Sequence, residues 1–284
     1  MTYYVELFGN HSAQVQRSDL RLREHMMPPA SAYLVTRTYQ SDKVLDLNAH
    51  IQRLRASLRA LGAECPLDDL QLRRGIARVT AAIDGDARFR VAVSAAAPDT
   101  VTVCAEPLAV PGAEVLQNGV DCALARGVLR QQAEVKSSTW VAERTGLPHS
   151  RSAYEVLLAD DSGAIYEGAS SNFYVVVPAH RTGSGAAARR PCLQSAGSGV
   201  LRGITRRAVW QLAAACCDLN EQAPAFAERS AWNEAFITSS SRGIVPVRRI
   251  DSFVVGAPGS VTRALQRAYA QWIEENLEQI SPNR

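Results

Sequence analysis

The sequence predicts an α+β chain divided into two domains. Strand-like runs rich in β-branched and aromatic residues recur in both halves: YLVTRTY (33–39), FRVAVS (89–94) and NFYVVV (172–177). Ile51, Leu54, Leu58 and Leu61 fall at helical spacing, so helix and strand alternate in the first part of the chain. The segment EPLAVPGAEV (106–115) carries two prolines and one glycine with little periodicity, which marks a boundary. These observations give a small N-terminal α+β domain over 1–107, a linker over 108–115 and a larger, strand-rich C-terminal domain over 116–284.

Along the chain, YLVTRTY is followed by the polar QSDK (40–43) and the short apolar VLDL (44–47), which together read as a hairpin. AHIQRLRASLRALG (49–62) reads as a helix stopped by Gly62, and 67–83 as a second, with Asp68 and Asp69 at its positive end. Segments 88–94 and 101–105 form a strand pair. A helix is expected from just after Lys136 to Thr145, ended by Gly146 and Pro148. YEVLLAD (154–160), AIYEG (164–168) and NFYVVV follow as strands. Residues 179–199, dominated by Gly, Ala, Ser and Arg, read as a long hairpin or mobile loop around a short strand. ITRRAVWQLAAACCDL (204–219) reads as an amphipathic helix, EAFITSSSRGIVPV (234–247) as strand, turn and strand, and 261–277 as a terminal helix.

Composition excludes several classes. Net charge is +3 and the basic residues are scattered, so no nucleic-acid groove is expected. No apolar run approaches the ~18 residues of a membrane span. MTYYVELFGNHSAQ lacks the charged and apolar regions of a secretory signal. The six cysteines show no metal-ligand spacing, and the adjacent Cys216 and Cys217 read as small buried residues. A reducing, cytoplasmic setting is expected.

Lysine is nearly absent: Lys43 and Lys136 stand against twenty-nine arginines. Schiff-base formation on an aldehyde is one chemistry that arginine cannot take over, because a guanidinium stays protonated while a desolvated lysine can lose its proton. Lys43 sits in a polar turn. Lys136, in AEVKSSTW (133–140), is therefore the candidate nucleophile.

Three further pieces suit a pyridoxal phosphate (PLP) site. Glu167, in IYEGASSNF (165–173), would keep a pyridine nitrogen protonated, and the small residues Gly168 to Ser171 let a flat ring approach the backbone. Gly203-Ile204-Thr205 opens a helix whose free N–H groups suit a phosphate, with Arg53 available for a bidentate contact. The turn TSSSRG (238–243) supplies hydroxyl and N–H donors for an anion.

The order of these pieces resembles the fold-type IV PLP-dependent enzymes, or class IV aminotransferases. That family includes branched-chain and D-amino-acid aminotransferases and aminodeoxychorismate lyases. The matching residues run from YLVTRTY and HIQRL through EVKSS and YEGASSNF to LRGITR and FITSSSRGIVPV. The resemblance implies two α+β domains with the cofactor between them, and commonly a homodimer. It implies that Lys136 is the Schiff-base lysine and proton shuttle, and that Glu167 partners the pyridine nitrogen. Arg53, the backbone amides of Ile204 and Thr205, and Ser240 would hold the phosphate. Ser241 and Arg242 would meet the substrate carboxylate, with Tyr33 near the active site. The expected activity is transfer of an amino group between an amino acid or amine and a 2-keto acid. β-Elimination releasing pyruvate, as in aminodeoxychorismate lyase, is the alternative, and a non-catalytic relative the lesser one. Two substrate-facing segments depart from the family. PPASAYLVTR (28–37) lacks the glycine-aspartate-glycine stretch and the glutamate, and FRVAVSAAAPDTVTVCAEPL (89–108) lacks the arginine-glycine motif.

Overall fold

The computed structural model describes residues 1–8, 11–22, 27–148, 152–178 and 190–281. The chain forms two compact units built from interleaved stretches. One comprises Met1–Val110, Val135–Ala142 and Ile273–Arg284, the other Pro111–Glu134 and Glu143–Trp272. Of the Gly/Ala/Ser/Arg-rich segment, 179–189 lies outside the described residues, and Cys192–Gln194 is a strand.

In the first unit, alternation along the strands builds an antiparallel sheet, six-stranded among the described residues. Its order is His11–Ser12, Thr2–Phe8, Ala97–Pro107, Ala87–Ser94 and Ser31–Arg37, with Gln16–Ser18 also paired to Thr2–Phe8. Phe89, Val91 and Val93 pair with Ala105, Val103 and Val101, and all six are fully buried on one face. Helix α1 (Leu47–Ala60) buries Leu47, Ile51, Leu54 and Leu58, a stripe at helical period. It stops at Gly62, whose φ of 84° only glycine adopts at no cost. There the N–H groups of Ala63 and Gly62 donate to the carbonyls of Leu58 and Arg59 at 3.1 and 2.9 Å, satisfying the helix end. Helix α2 (Asp69–Thr80) is shorter than 67–83 because Asp68 caps it. The Gln71 N–H donates to Asp68 Oδ1 at 2.7 Å while the Asp68 N–H donates to Gln71 Oε1 at 2.8 Å. A Cβ at Gly75 would lie 2.6 Å from Leu7 Cδ1, so glycine lets α2 lie close on the sheet.

The expected hairpin over 33–47 is only half formed. Tyr39 and Lys43 exchange backbone hydrogen bonds at 2.8 and 3.0 Å, which closes a tight turn. The strand after it, Lys43–Leu45, pairs instead with Leu277–Gln279 from the far end of the chain. Arg73 fixes that arrangement. It is 7% exposed, and its guanidinium donates to the carbonyls of Gln279 and Ile280, to Asn48 Oδ1 at 2.8 Å and to Glu278 Oε2 at 2.6 Å. Arg73→Met strands several acceptors at once. It is expected to cost about 2–4 kcal/mol, read as a lower urea midpoint. An unchanged midpoint would remove Arg73 from this role.

The second unit holds a nine-stranded sheet among the described residues. Its strands run Ile165–Gly168, Glu155–Ala159, Val120–Ala125, Gly243–Ile250, Glu234–Ser239, Ser171–Val177, Cys192–Gln194 and Asp218–Asn220, with Phe253–Val254 beside Gly243–Ile250. Ile165–Gly168 pairs with both Glu155–Ala159 and Ser171–Val177, which closes six of these strands into a ring. Closure removes the edges and puts Leu157, Ile165, Phe173, Val175, Ile237 and Val245 in one core. Leu157 and Ala159 belong to that core, and Val156 and Leu158 are buried on the other face of the same strand. Helix α3 (Ala113–Asn118) occupies the end of the expected linker. Helix α4 (Ser138–Thr145) follows Lys136. Helix α5 (Ile204–Ala213) is shorter than the sequence suggests, because Asp218–Asn220 turns into a strand parallel to Cys192–Gln194. Cys217 is buried as expected, whereas Cys216 is exposed. Helix α6 spans Ser260–Asn276. Among the described residues no helix is long and apolar enough to cross a membrane.

Candidate active site

In the first unit, three sequence-predicted residues come together around the edge strand Ser31–Arg37. Lys136 is stitched to it on both sides. The Lys136 N–H donates to Ser57 Oγ at 3.0 Å, and its carbonyl accepts the Tyr33 N–H at 3.0 Å. Ser137 bridges Ala32, and Ser138 Oγ accepts the Ser31 N–H at 2.9 Å. The backbone on both sides of the lysine is thus pinned. The Lys136 ammonium lies 5.2 Å from the centroid of the buried Tyr33 ring, a cation–π separation. Arg53 stands one turn before Ser57 on α1, hence on the same helix face as the hydroxyl that holds Lys136. His50, buried at 1% exposure, has Nδ1 3.5 Å from Arg53 Nη2.

In the second unit, the hairpin of Ile165–Gly168 and Ser171–Val177 explains why two separated motifs belong together. Glu167 and Asn172 are direct partners across it, so their side chains share one face. Both grip Leu201. Its N–H donates to Glu167 Oε2 at 3.0 Å, and its carbonyl accepts Asn172 Nδ2 at 2.8 Å. That grip sets the start of α5. Gly203 is its N-cap, and a Cβ there would lie 2.4 Å from Asn172 Oδ1. Among the described residues no side chain caps this helix start, and the first N–H groups, those of Ile204 and Thr205, have no intrahelical acceptor. Thr205, 2% exposed, has its hydroxyl 3.4 Å from the Tyr269 hydroxyl. Glu167 itself is 3% exposed, and Arg130 Nη1 lies 4.0 Å from its Oε1. The result is a buried acid beside a guanidinium, linked through Leu201 to an anion-ready helix start.

The turn after Glu234–Ser239 brings Ser240, Ser241 and Arg242 together, all half-buried. Arg242 is already committed. Its Nη2 donates to Glu155 Oε2 at 3.0 Å and to Ser170 Oγ at 2.9 Å, and its Nε donates to Ser239 Oγ at 3.0 Å. Burial pulls this guanidinium's pKa down, and the Glu155 carboxylate together with Tyr154 more than reverses it, leaving it raised. Sequence reasoning did not find Ser57, Arg130, Asn172 or Glu155. Asn172 stood in a quoted motif and was legible once its strand partner was known. Arg130 is one of twenty-nine arginines, and nothing local sets it apart.

The likeness to known proteins runs the same way. A D-alanine aminotransferase of Bacillus licheniformis is 28% identical over 264 residues, spanning 83% of this chain and 85% of its own. By structure, the branched-chain amino acid aminotransferase of Escherichia coli aligns over 97% of this chain and 99% of its own, with TM-score 0.74 at 20% identity. The branched-chain aminotransferase of Thermoproteus uzoniensis, solved with norvaline, aligns over 98% and 99%, with TM-score 0.74 at 18% identity. At that identity the structures establish the fold, of the fold-type IV aminotransferase kind. The family model for amino-transferase class IV matches residues 33–250, from the strand that carries Tyr33 to the strand beyond the 239–243 turn. The chain therefore belongs to the class IV aminotransferases, a PLP-dependent family.

Proposed function

We propose that this protein is a PLP-dependent transaminase that moves an amino group between an amino acid, or a related amine, and a 2-keto acid. The observation that carries the reading is the buried pair Glu167 and Arg130, joined through Leu201 to the uncapped start of α5. An acid for a ring nitrogen and N–H donors for a phosphate are what the cofactor requires. The donor set fits the group. The close approach at Gly203 and Asn172 also explains why no bulkier residue opens the helix.

When bound, the cofactor supplies an aldehyde that condenses with amines and a ring that withdraws electrons. The chain's own residues do the rest. Lys136 offers the primary amine and, as a free base, would take a proton off the substrate α-carbon and deliver it as acid to C4′ of the cofactor. Its pinned backbone confines that nitrogen to the reach of one side chain. Glu167 keeps the pyridine nitrogen protonated. Arg53, the N–H groups of Ile204 and Thr205, and the Ser240 hydroxyl hold the phosphate. Tyr33 lies beside the amine and forms part of the substrate's surroundings. Ser241 and the turn around Arg242 receive the substrate carboxylate, with the Arg242 guanidinium occupied by Glu155. We place the enzyme in the cytoplasm as a homodimer, on the family expectation.

The test is a half-reaction screen. Cofactor-loaded protein is mixed with L-amino acids, D-amino acids and aryl amines in turn, with no keto acid present. One class of donor is expected to release one keto acid or ketone per active site and to discharge the near-visible absorption band. A band that no donor discharges, together with pyruvate release from aminodeoxychorismate, would replace the transaminase by the lyase.

A further inference from the structure

We infer that Glu155 is a positioning residue that ties together two cofactor-facing loops, the Ser170–Ser171 corner and the 239–243 turn. Glu155 opens the strand Glu155–Ala159 and is 6% exposed. A single oxygen, Oε2, accepts three hydrogen bonds: from Ser170 Oγ at 2.6 Å, from Ser171 Oγ at 3.0 Å and from Arg242 Nη2 at 3.0 Å. The same guanidinium reaches back to the Ser170 carbonyl at 3.2 Å and to Ser239 Oγ at 3.0 Å. The two loops are therefore cross-linked through one ion pair.

Each loop leads directly to a residue assigned above. Gly168 pairs with Ser171, and the next rung of that hairpin is Glu167 with Asn172. The other loop carries Ser240 and Ser241. Gly168 makes room for the arrangement, since a Cβ there would lie 2.9 Å from Glu155 Cγ and 2.2 Å from Ser171 Oγ. The Glu155 carboxylate is buried and the Arg242 guanidinium half-buried, so losing the guanidinium strands the acid and loosens the loop the pair holds. Glu155 acts through its three donors. This inference rests on the proposed cofactor-binding function.

The experiment uses the full-length protein. The cofactor dissociation constant and the near-visible circular dichroism of bound cofactor are measured for wild type, Glu155→Gln, Arg242→Gln and the double variant, with Lys136→Ala as reference. Each single change is expected to weaken cofactor retention about tenfold or more and to alter the dichroism. The double variant is expected to be no weaker than the poorer single one, because the pair acts as a unit. Ser170→Ala with Ser171→Ala removes donors without stranding a charge. It is expected to weaken retention about threefold or more, and it serves if the charge variants do not fold. Wild-type retention and dichroism in the soluble variants, or additive losses across the pair, would overturn the role of Glu155. Failure of wild type itself to bind cofactor in a Lys136-dependent way would instead overturn the proposed function.

Discussion

Replacing Lys136 by alanine is expected to abolish the near-visible band of the cofactor-loaded protein and to lower transamination by about 10³-fold or more. The expectation follows from what the chain offers. Only two lysines are present, and the Lys43 ammonium donates to Gln40 Oε1 at 2.8 Å within its own tight turn. Lys136 is held from both sides through its backbone, by Ser57 and by Tyr33, so alanine keeps those bonds while removing the amine with the side chain beyond Cβ. Folding should be nearly unchanged, and a thermal melt checks that. Lys136→Arg should not restore activity, because a guanidinium neither condenses with an aldehyde nor gives up its proton near neutral pH. Steady-state turnover of either variant at a tenth of wild type would contradict the assignment.

Glu167→Gln is expected to leave cofactor capture nearly intact and to lower kcat by about 10²-fold. The amide oxygen can still accept the Leu201 N–H, so the start of α5 keeps its position. A neutral amide cannot stabilise a positively charged ring nitrogen, and the electron withdrawal that drives proton loss from the substrate weakens accordingly. The split is diagnostic. A large fall in kcat with an unchanged cofactor dissociation constant supports a role at the ring nitrogen. A large loss of cofactor with normal kcat at saturation would make Glu167 a structural clasp for Leu201.

Local signals in the sequence proved legible. The apolar stripe on α1 and its glycine stop, the strands Ala87–Ser94 and Ala97–Pro107, and the strand–turn–strand around 239–243 all follow from spacing and turn chemistry within about a dozen residues. Non-local pairing was not legible. Lys43–Leu45 chooses Leu277–Gln279 as its partner, which no hairpin rule foresees. Glu155–Ala159 is buried on both faces, which hides Glu155 at the head of what reads as an ordinary strand. The two compact units recruit 135–142 and the C-terminal stretch across the chain, a grouping that composition does not announce. Within the site, the residues expected from motifs were chosen for chemistry, whereas Asn172 and Arg130 emerged only from strand register and burial.

The most direct measurement is borohydride reduction of the protein with bound PLP, followed by peptide mass mapping. The lysines of the sequence are Lys43 and Lys136. The account expects one pyridoxyl mass increment per chain, carried by the peptide that contains Lys136 and absent from Lys136→Ala. An increment on Lys43, or none in a preparation that still transaminates, would contradict it.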